Sequence, residues 1–237
     1  MAEEQGKTLR DMMDAADAST LNAAGNAFAD RGMWNEALEC YERSQALHQQ
    51  ADNQRGEALV LNNLGATCYA MGEWDAALAH YQEALAILRR LDDRQTELLT
   101  LMNICFLRYA QAGLYGEELD RAQMLAEELG QEEPLTKICW MRGDAAFHAG
   151  QDMPAAFHHY ALACLHASRA GVNLLDTTLD YVDEHLSELV DQSNRLAALA
   201  FCDHLLEFGR VENLGAAFLS RVERKRSSLL SPPLLGA

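Results

Sequence analysis

Residues 61–84, LNNLGATCYAMGEWDAALAHYQEA, repeat the pattern of residues 21–44, LNAAGNAFADRGMWNEALECYERS, forty positions earlier. The positions that keep their residue type are glycines, a tryptophan, an alanine, a leucine and a tyrosine. They are Gly25, Gly32, Trp34, Ala37, Leu38 and Tyr41, and again Gly65, Gly72, Trp74, Ala77, Leu78 and Tyr81. A fixed period of this length indicates stacked supersecondary units.

Each copy predicts two helices joined by a short turn. Apolar residues such as Leu61, Leu64 and Cys68 recur at helical spacing rather than in alternation. A glycine, Gly72, is expected to end the first helix, and Asp75 is expected to cap the second. The same reasoning assigns Gly32 and Asn35 these places one repeat earlier. The small glycine inside the first helix lets the two helices approach, and the tyrosine fills the space between neighbouring units.

The pattern weakens toward the C-terminus, which sets the expected domain layout. Gly113 and Tyr115 keep part of it, Gly143 and Gly150 restore it, and later residues lack it. Helices are still expected near 173–190, 194–208 and 211–227. We predict an N-terminal arm or helix over 1–18, repeats over 19–52, 53–92, 93–130 and 131–170, a degenerate helix pair with a capping helix over 171–227, and a disordered tail over 228–237.

Charge and composition exclude several classes of protein. With 19 basic and 36 acidic residues the net charge is −17, which would repel nucleic acid and favour apolar or basic protein partners. No apolar run is long enough to span a membrane, and the first residues lack the features of a signal peptide. We therefore expect a cytoplasmic protein. Six isolated cysteines, without any Cys-x-x-Cys pair, indicate small buried side chains in a reducing compartment.

The order leucine, leucine-glycine, aromatic, glycine, alanine, aromatic and alanine resembles the tetratricopeptide repeat. It is best kept at Leu61, Leu64-Gly65, Gly72, Ala77, Tyr81 and Ala84. The forty-residue period is similar to the long-helix variety found in kinesin light chains, cell-polarity adaptors and bacterial signalling ATPases. The resemblance implies an all-α, right-handed α-solenoid of about five antiparallel helix pairs plus a C-terminal capping helix. It also implies a concave groove, lined by the first helix of each pair, that binds a segment of another protein.

The resemblance places a series of asparagines, two aromatic residues and one arginine along this groove. They are Asn22, Asn26, Asn62, Asn63, Tyr69, Asn103, Arg108 and Trp140. An asparagine amide both donates and accepts hydrogen bonds, so a row of them could bind a peptide backbone. The alternative is that the asparagines are merely solvated or cap their own turns.

Signatures of catalysis are missing from the sequence. It has no phosphate-binding glycine loop ending in Gly-Lys-Ser/Thr, no Gly-x-Ser-x-Gly and no His-Glu-x-x-His. The cluster of His158, His159, Cys164 and His166 is the one group with metal-ligand or nucleophile chemistry. His159 and His166 stand two helical turns apart, about 10 Å, which is too far for one zinc ion. We expect neither enzyme activity nor a metal or other cofactor.

Three functions stay open at this point. The first is a non-catalytic adaptor or scaffold that binds an extended or helical protein segment in the groove. The second is a regulatory, inhibitory or sensor subunit that sequesters an effector protein, and the third is a His/Cys enzyme or metal protein. Self-association is also possible. If the groove assignment is right, alanine at Asn62, Asn63 and Asn103 should weaken partner capture and leave melting unchanged.

Overall fold

The computed structural model describes residues 16–112, 116–148, 152–189 and 195–230, and within these ranges every regular element is an α-helix. The prediction of an all-α fold is therefore confirmed. The helices, in chain order, are α1 (Ala18–Ala29), α2 (Trp34–Gln50), α3 (Gln54–Ala70), α4 (Trp74–Leu91), α5 (Arg94–Ala112), α6 (Glu117–Glu128), α7 (Glu132–His148), α8 (Met153–Ala170), α9 (Val172–Leu189), α10 (Arg195–Val211) and α11 (Ala216–Leu230).

The chain divides into two compact units. Of the described residues, the first unit contains 16–112 and 116–125, and the second contains 126–148, 152–189 and 195–230. In the first unit α1 packs on α2 and α3 packs on α4, so that each repeat is a helical hairpin. The first helices of successive hairpins, α1, α3 and α5, also contact one another in order. They form one layer, and the sequence positions that recur every forty residues therefore recur in space.

Close approach within a hairpin depends on a glycine that faces an aromatic ring. A Cβ placed on Gly25 would lie 2.5 Å from Tyr41 Cε1, and one on Gly65 would lie 2.6 Å from Tyr81 Cδ1. Real Cβ atoms do not approach carbon atoms so closely, so any side chain at these positions would push the helices apart. The predicted role of the glycines in helix approach is thus confirmed.

The turns inside the hairpins follow the predicted glycines but not the predicted caps. Gly72 has a φ of 79°, and the amide of Glu73 donates to the Cys68 carbonyl at 2.8 Å, which closes α3. The chain reverses so quickly that α4 already begins at Trp74. Asp75 therefore lies inside the first turn of α4 rather than at its cap, and the prediction was wrong by two residues. The corresponding prediction for Asn35 was wrong in the same way, because α2 begins at Trp34.

The second unit contains hairpin α7–α8, with α9 packed on α8. In it a Cβ on Gly143 would lie 2.5 Å from Tyr160 Cε1, as in the first two repeats. Of the last three helices, α10 packs chiefly on α11. There Gly209 faces Phe218, whose Cε1 would lie 2.5 Å from an added Cβ. The glycine–aromatic contact thus joins the last two helices, where the sequence had indicated a separate capping helix.

The ends of the chain differ in part from the expected layout. Helix α11 continues to Leu230, and Leu229 is buried in the core of the second unit, so the predicted tail over 228–237 begins with three helical residues. Burial of Leu229 explains this extension, because it removes an apolar side chain from water. Most of the predicted arm over 1–18 and the rest of the tail lie outside the described residues.

Candidate functional site

The asparagines of the first helices bond to one another across neighbouring hairpins. Asn63 Nδ2 donates to Asn22 Oδ1 at 2.9 Å, which links α3 to α1. Asn103 Nδ2 donates to Asn62 Oδ1 at 3.1 Å, which links α5 to α3. Each pair is 41 residues apart, so the two bonds are copies of one contact. The asparagines thus hold successive repeats together, a role that neither sequence-level interpretation had included.

These amides differ in their access to solvent. Asn62 is 7% exposed and lies inside the layer, whereas Asn22, Asn63 and Asn103 are half-buried. A primary amide can make about four hydrogen bonds, and the inter-repeat contact uses only one of them. Asn63 and Asn103 therefore combine a structural bond with a surface position from which they could reach another molecule.

Asn26 is exposed, and its Oδ1 accepts a hydrogen bond from the Tyr41 hydroxyl at 2.7 Å. Burial raises the pKa of Tyr41 to about 12, so the hydroxyl keeps its proton and stays a donor near neutral pH. The second unit has an equivalent hydrogen bond. There the Tyr160 hydroxyl donates to Oδ1 of Asp144, the residue after Gly143, at 2.6 Å. Asn26 thus helps to fix the tyrosine that packs on Gly25.

Two further predicted groove residues lie in the first unit, and one of them is exposed while the other forms an ion pair. Tyr69 is 38% exposed on α3. Arg108, on α5, donates from Nη2 to Glu118 Oε1 on α6 at 2.8 Å. Its guanidinium therefore links α5 to α6, the helix pair that follows the second hairpin in the repeat series and that we call the third hairpin.

Exposed apolar side chains accompany these residues, and sequence reasoning did not single them out. Leu59 on α3 is 40% exposed, and Leu99, its counterpart on α5, is 52% exposed. Tyr69 likewise recurs as Tyr109, which is 37% exposed, and Phe106 is equally open. The forty-residue spacing of both pairs was the signal that could have found them. We call this surface the A-helix face, made of Leu59, Asn63 and Tyr69 on α3 and Leu99, Asn103, Phe106 and Tyr109 on α5.

A charged cluster in the first unit has a structural explanation. Glu97, on α5, has a side chain only 3% exposed, and Arg121 on α6 meets both of its oxygens at 3.1 Å. Arg89 on α4 adds a third bond at 3.1 Å. Burial alone would raise the pKa of Glu97, but the bonds and charges of the two arginines outweigh it and lower that pKa. The cluster joins three helices around one carboxylate.

Trp140 lies in the second unit and takes part in an aromatic cluster. Its ring stacks on Tyr181 with 5.2 Å between the ring centroids. The Tyr181 hydroxyl donates to Asp144, which is 2% exposed and also accepts from Tyr160. The indole Nε1 is buried and has no hydrogen-bond partner among the described residues. Trp140 thus packs against α9 rather than standing open on α7.

The histidines and cysteine of the predicted cluster do not form a common site. Cys164 is fully buried, and His158 is exposed. His166 Nδ1 lies 2.6 Å from Glu132 Oε2, and burial, with the charges of Arg142 and His158, lowers the pKa of His159. Among the described residues no group of three His, Cys, Asp or Glu side chains is arranged to hold a metal ion.

The cysteines behave as core residues. All six are free and buried, which confirms the packing role expected from sequence. Burial raises the pKa of the Cys139 thiol to about 12, and that of Cys40 and Cys68 in the same direction. A protonated thiol is a poor nucleophile, so these three cysteines are suited to packing.

Comparison with known proteins gives a family for the N-terminal part of the chain. Residues 17–90, which contain both hairpins with the glycine–tyrosine contact, match the family model of the tetratricopeptide repeat. No curated protein matches the chain. Within the described ranges, no helix has the length and apolar character needed to cross a membrane. Whether the repeats are of the long-helix variety stays a prediction. Because residues 17–90 match this family model, that segment of the chain belongs to the tetratricopeptide repeat family.

Proposed function

We propose that this chain is a non-catalytic interaction module, an adaptor or scaffold that binds a segment of another protein along the A-helix face. Tetratricopeptide repeats generally mediate protein–protein interaction, and the family is typically not catalytic. The proposal concerns the surface that does this and the kind of segment it accepts.

The observation that carries the proposal is the exposure of large apolar side chains at corresponding places on α3 and α5. Leu59 and Leu99 are forty residues apart and both at least 40% exposed. A row of exposed apolar residues with polar amides among them is typical of a surface that another protein covers. Asn63 and Asn103 stand within that row, where they could bind the backbone of the covering segment.

A direct test uses a matched pair of positions in the first unit. Leu99 on α5 and Met124 on α6 are both 52% exposed, but only Leu99 belongs to the A-helix face. A photo-crosslinking amino acid at position 99 should capture a partner protein from cells, and the same group at position 124 should not. Equal capture at the two positions, or none at position 99, would rule out the A-helix face.

The complementary substitutions test energetics at the same positions. Leu99→Glu should weaken binding of the captured partner about tenfold or more, because it places a charge in a covered apolar contact. Met124→Glu should leave binding unchanged.

The triple alanine variant at Asn62, Asn63 and Asn103 is no longer a clean test of binding. It removes both inter-repeat hydrogen bonds, and Asn62 is buried. We therefore expect that variant to melt at a lower temperature, contrary to the expectation from sequence, whereas Leu99→Glu changes an exposed side chain.

A further inference from the structure

An open cleft of about 540 Å³ lies where the first two hairpins of the first unit meet. Its lining combines one carboxylate, one indole, a tyrosine hydroxyl, a threonine and two amides, and none of its described residues is basic. The polar and aromatic members are Asn26, Asp30, Trp34, Tyr41, Asn63 and Thr67. Among the described residues no cation pairs with Asp30.

The charge of Asp30 acts inside this cleft. It is close enough to Tyr41 to raise further the pKa of that hydroxyl, after the larger effect of burial. A cleft lined by both a carboxylate and an indole is a favourable setting for a cationic side chain, because an ion pair and a cation–π contact can act on the same group. The net charge of −17 adds long-range attraction for such a group.

The next junction along the chain lacks this character. Forty residues on, Asn26 becomes Ala66, Asp30 becomes Ala70 and Thr67 becomes Leu107. The position of Ala66 itself becomes Phe106, which is 37% exposed on the A-helix face. One architecture therefore presents a polar acidic subsite at the first junction and an apolar subsite at the second.

We propose that the cleft at Asp30 and Trp34 binds a lysine or arginine side chain of the partner segment, while an apolar side chain of the same segment contacts Phe106 and Leu99. This rests on the proposed function and adds the chemistry of the segment. Neighbouring packed helices lie about 8–10 Å apart, and an extended chain advances about 3.3 Å per residue. The basic and apolar residues are therefore about three positions apart in the partner.

The test is selection of a random linear twelve-residue peptide library displayed on phage against the full chain. The same library is selected against Asp30→Asn, Asp30→Lys, Leu99→Glu and the control Asp75→Lys. Asp30 follows the C-terminus of α1 and Asp75 is exposed in the first turn of α4, so a change of charge at Asp30 does not disturb a core. A lysine at a helix C-terminus also interacts favourably with the helix dipole, so Asp30→Lys should not unfold α1.

We expect wild-type protein to enrich peptides with lysine or arginine about three residues from a leucine or an aromatic residue. Asp30→Asn should remove the preference for a basic residue, and Asp30→Lys should replace it with a preference for aspartate or glutamate. The best synthetic peptide should bind Asp30→Asn about fivefold more weakly than wild type. The difference should shrink at high salt, and Asp75→Lys should behave as wild type.

The other possible outcomes would contradict the assignment of the cleft, the proposed function, or both. Enriched peptides that require Leu99 but show no basic preference would overturn the assignment of the cleft and leave the proposed function standing. A basic preference that persists in Asp30→Lys, or is lost equally in Asp75→Lys, would overturn it as well, since general acidity would then be the cause. Failure to enrich any peptide that depends on Leu99 would overturn both proposals.

Discussion

The second and third hairpins occupy successive places in the repeat but are closed by different forces. In the second, Tyr81 packs against Gly65, and apolar side chains such as Leu64 and Leu88 are buried. In the third, Cys105 stands where the glycine was and Ala122 where the tyrosine was, and both are buried. Arg108 and Glu118 then replace a cysteine and an alanine and bond to each other. The comparison teaches that loss of the repeat signature can mark an exchange of packing for ion pairs.

The largest expected effect comes from disturbing the glycine–tyrosine packing of the second hairpin. Gly65→Val should lower the free energy of unfolding by about 3 kcal/mol, because its Cβ would lie 2.6 Å from Tyr81 Cδ1. The control Ala66→Val changes the next residue, which is exposed, and should cost less than about 1 kcal/mol. Hydrogen exchange of peptides from α3 and α4 measures both. Cys105→Val occupies the equivalent position in α5. If it lowered the free energy of unfolding as much as Gly65→Val does, the two hairpins would not differ in how tightly they pack at this position.

The next largest effect comes from removing the charge of Glu97, which joins α4, α5 and α6. Glu97→Gln should destabilise α5 and α6 by about 2 kcal/mol at pH 7, because it removes charge-assisted bonds to Arg121 and Arg89. The folded pKa of Glu97 lies below its ordinary value of 4.5, so its stabilisation is full above that pH and is lost as the pH falls through the folded pKa. Thermal melts between pH 7 and pH 3 should show a smaller loss for Glu97→Gln than for wild type. Parallel curves would contradict the assignment.

A smaller effect concerns the bonds between hairpins. Asn62→Ala and Asn103→Ala should each cost about 1 kcal/mol, and the double variant should cost less than their sum, because both remove the same bond. Asn22 and Asn103 belong to different pairs, so their alanine variants should be additive. Urea unfolding of the four proteins in each cycle decides between coupling and independence.

The smallest effect is expected from restoring the repeat signature in the third hairpin. Arg108→Cys with Glu118→Ala returns both positions to the residues of the second repeat. The pair is partly exposed, with side-chain accessibilities of 35% and 24%, so its removal should change stability by less than about 1 kcal/mol. Either single variant should be less stable than the double. A double variant that fails to fold would show that the ion pair is essential to the hairpin.

Much of the fold was predictable because its determinants are local or periodic. Helical spacing predicted the helices, and the left-handed turn at Gly72 follows from its lack of a side chain. The helix starts were misplaced because the backbone bond from Glu73 to Cys68 tightens the turn, and a backbone bond leaves no trace in residue type. The pairing of α10 with α11 was missed because Gly209 and Phe218 are only nine residues apart, much closer than Gly65 and Tyr81.

The candidate site was predictable only in outline. Asn62 and Asn63 are neighbours in sequence, but successive residues on a helix point about 100° apart. One is therefore buried and the other half exposed, and only the packing of α1, α3 and α5 decides which. The cleft at Asp30 was not found from sequence, because its lining comes from three helices and a turn.

By itself the sequence determined the repeat, the helical hairpins and the close approach of helices at the glycines, since a fixed period imposes the same steric fit each time. Tertiary structure alone decided which asparagines form hydrogen bonds across hairpins, that Arg108 forms an ion pair with Glu118, and which leucines remain exposed. These outcomes depend on the rotation of each helix against its neighbours, and that rotation is set by the packing of the whole layer.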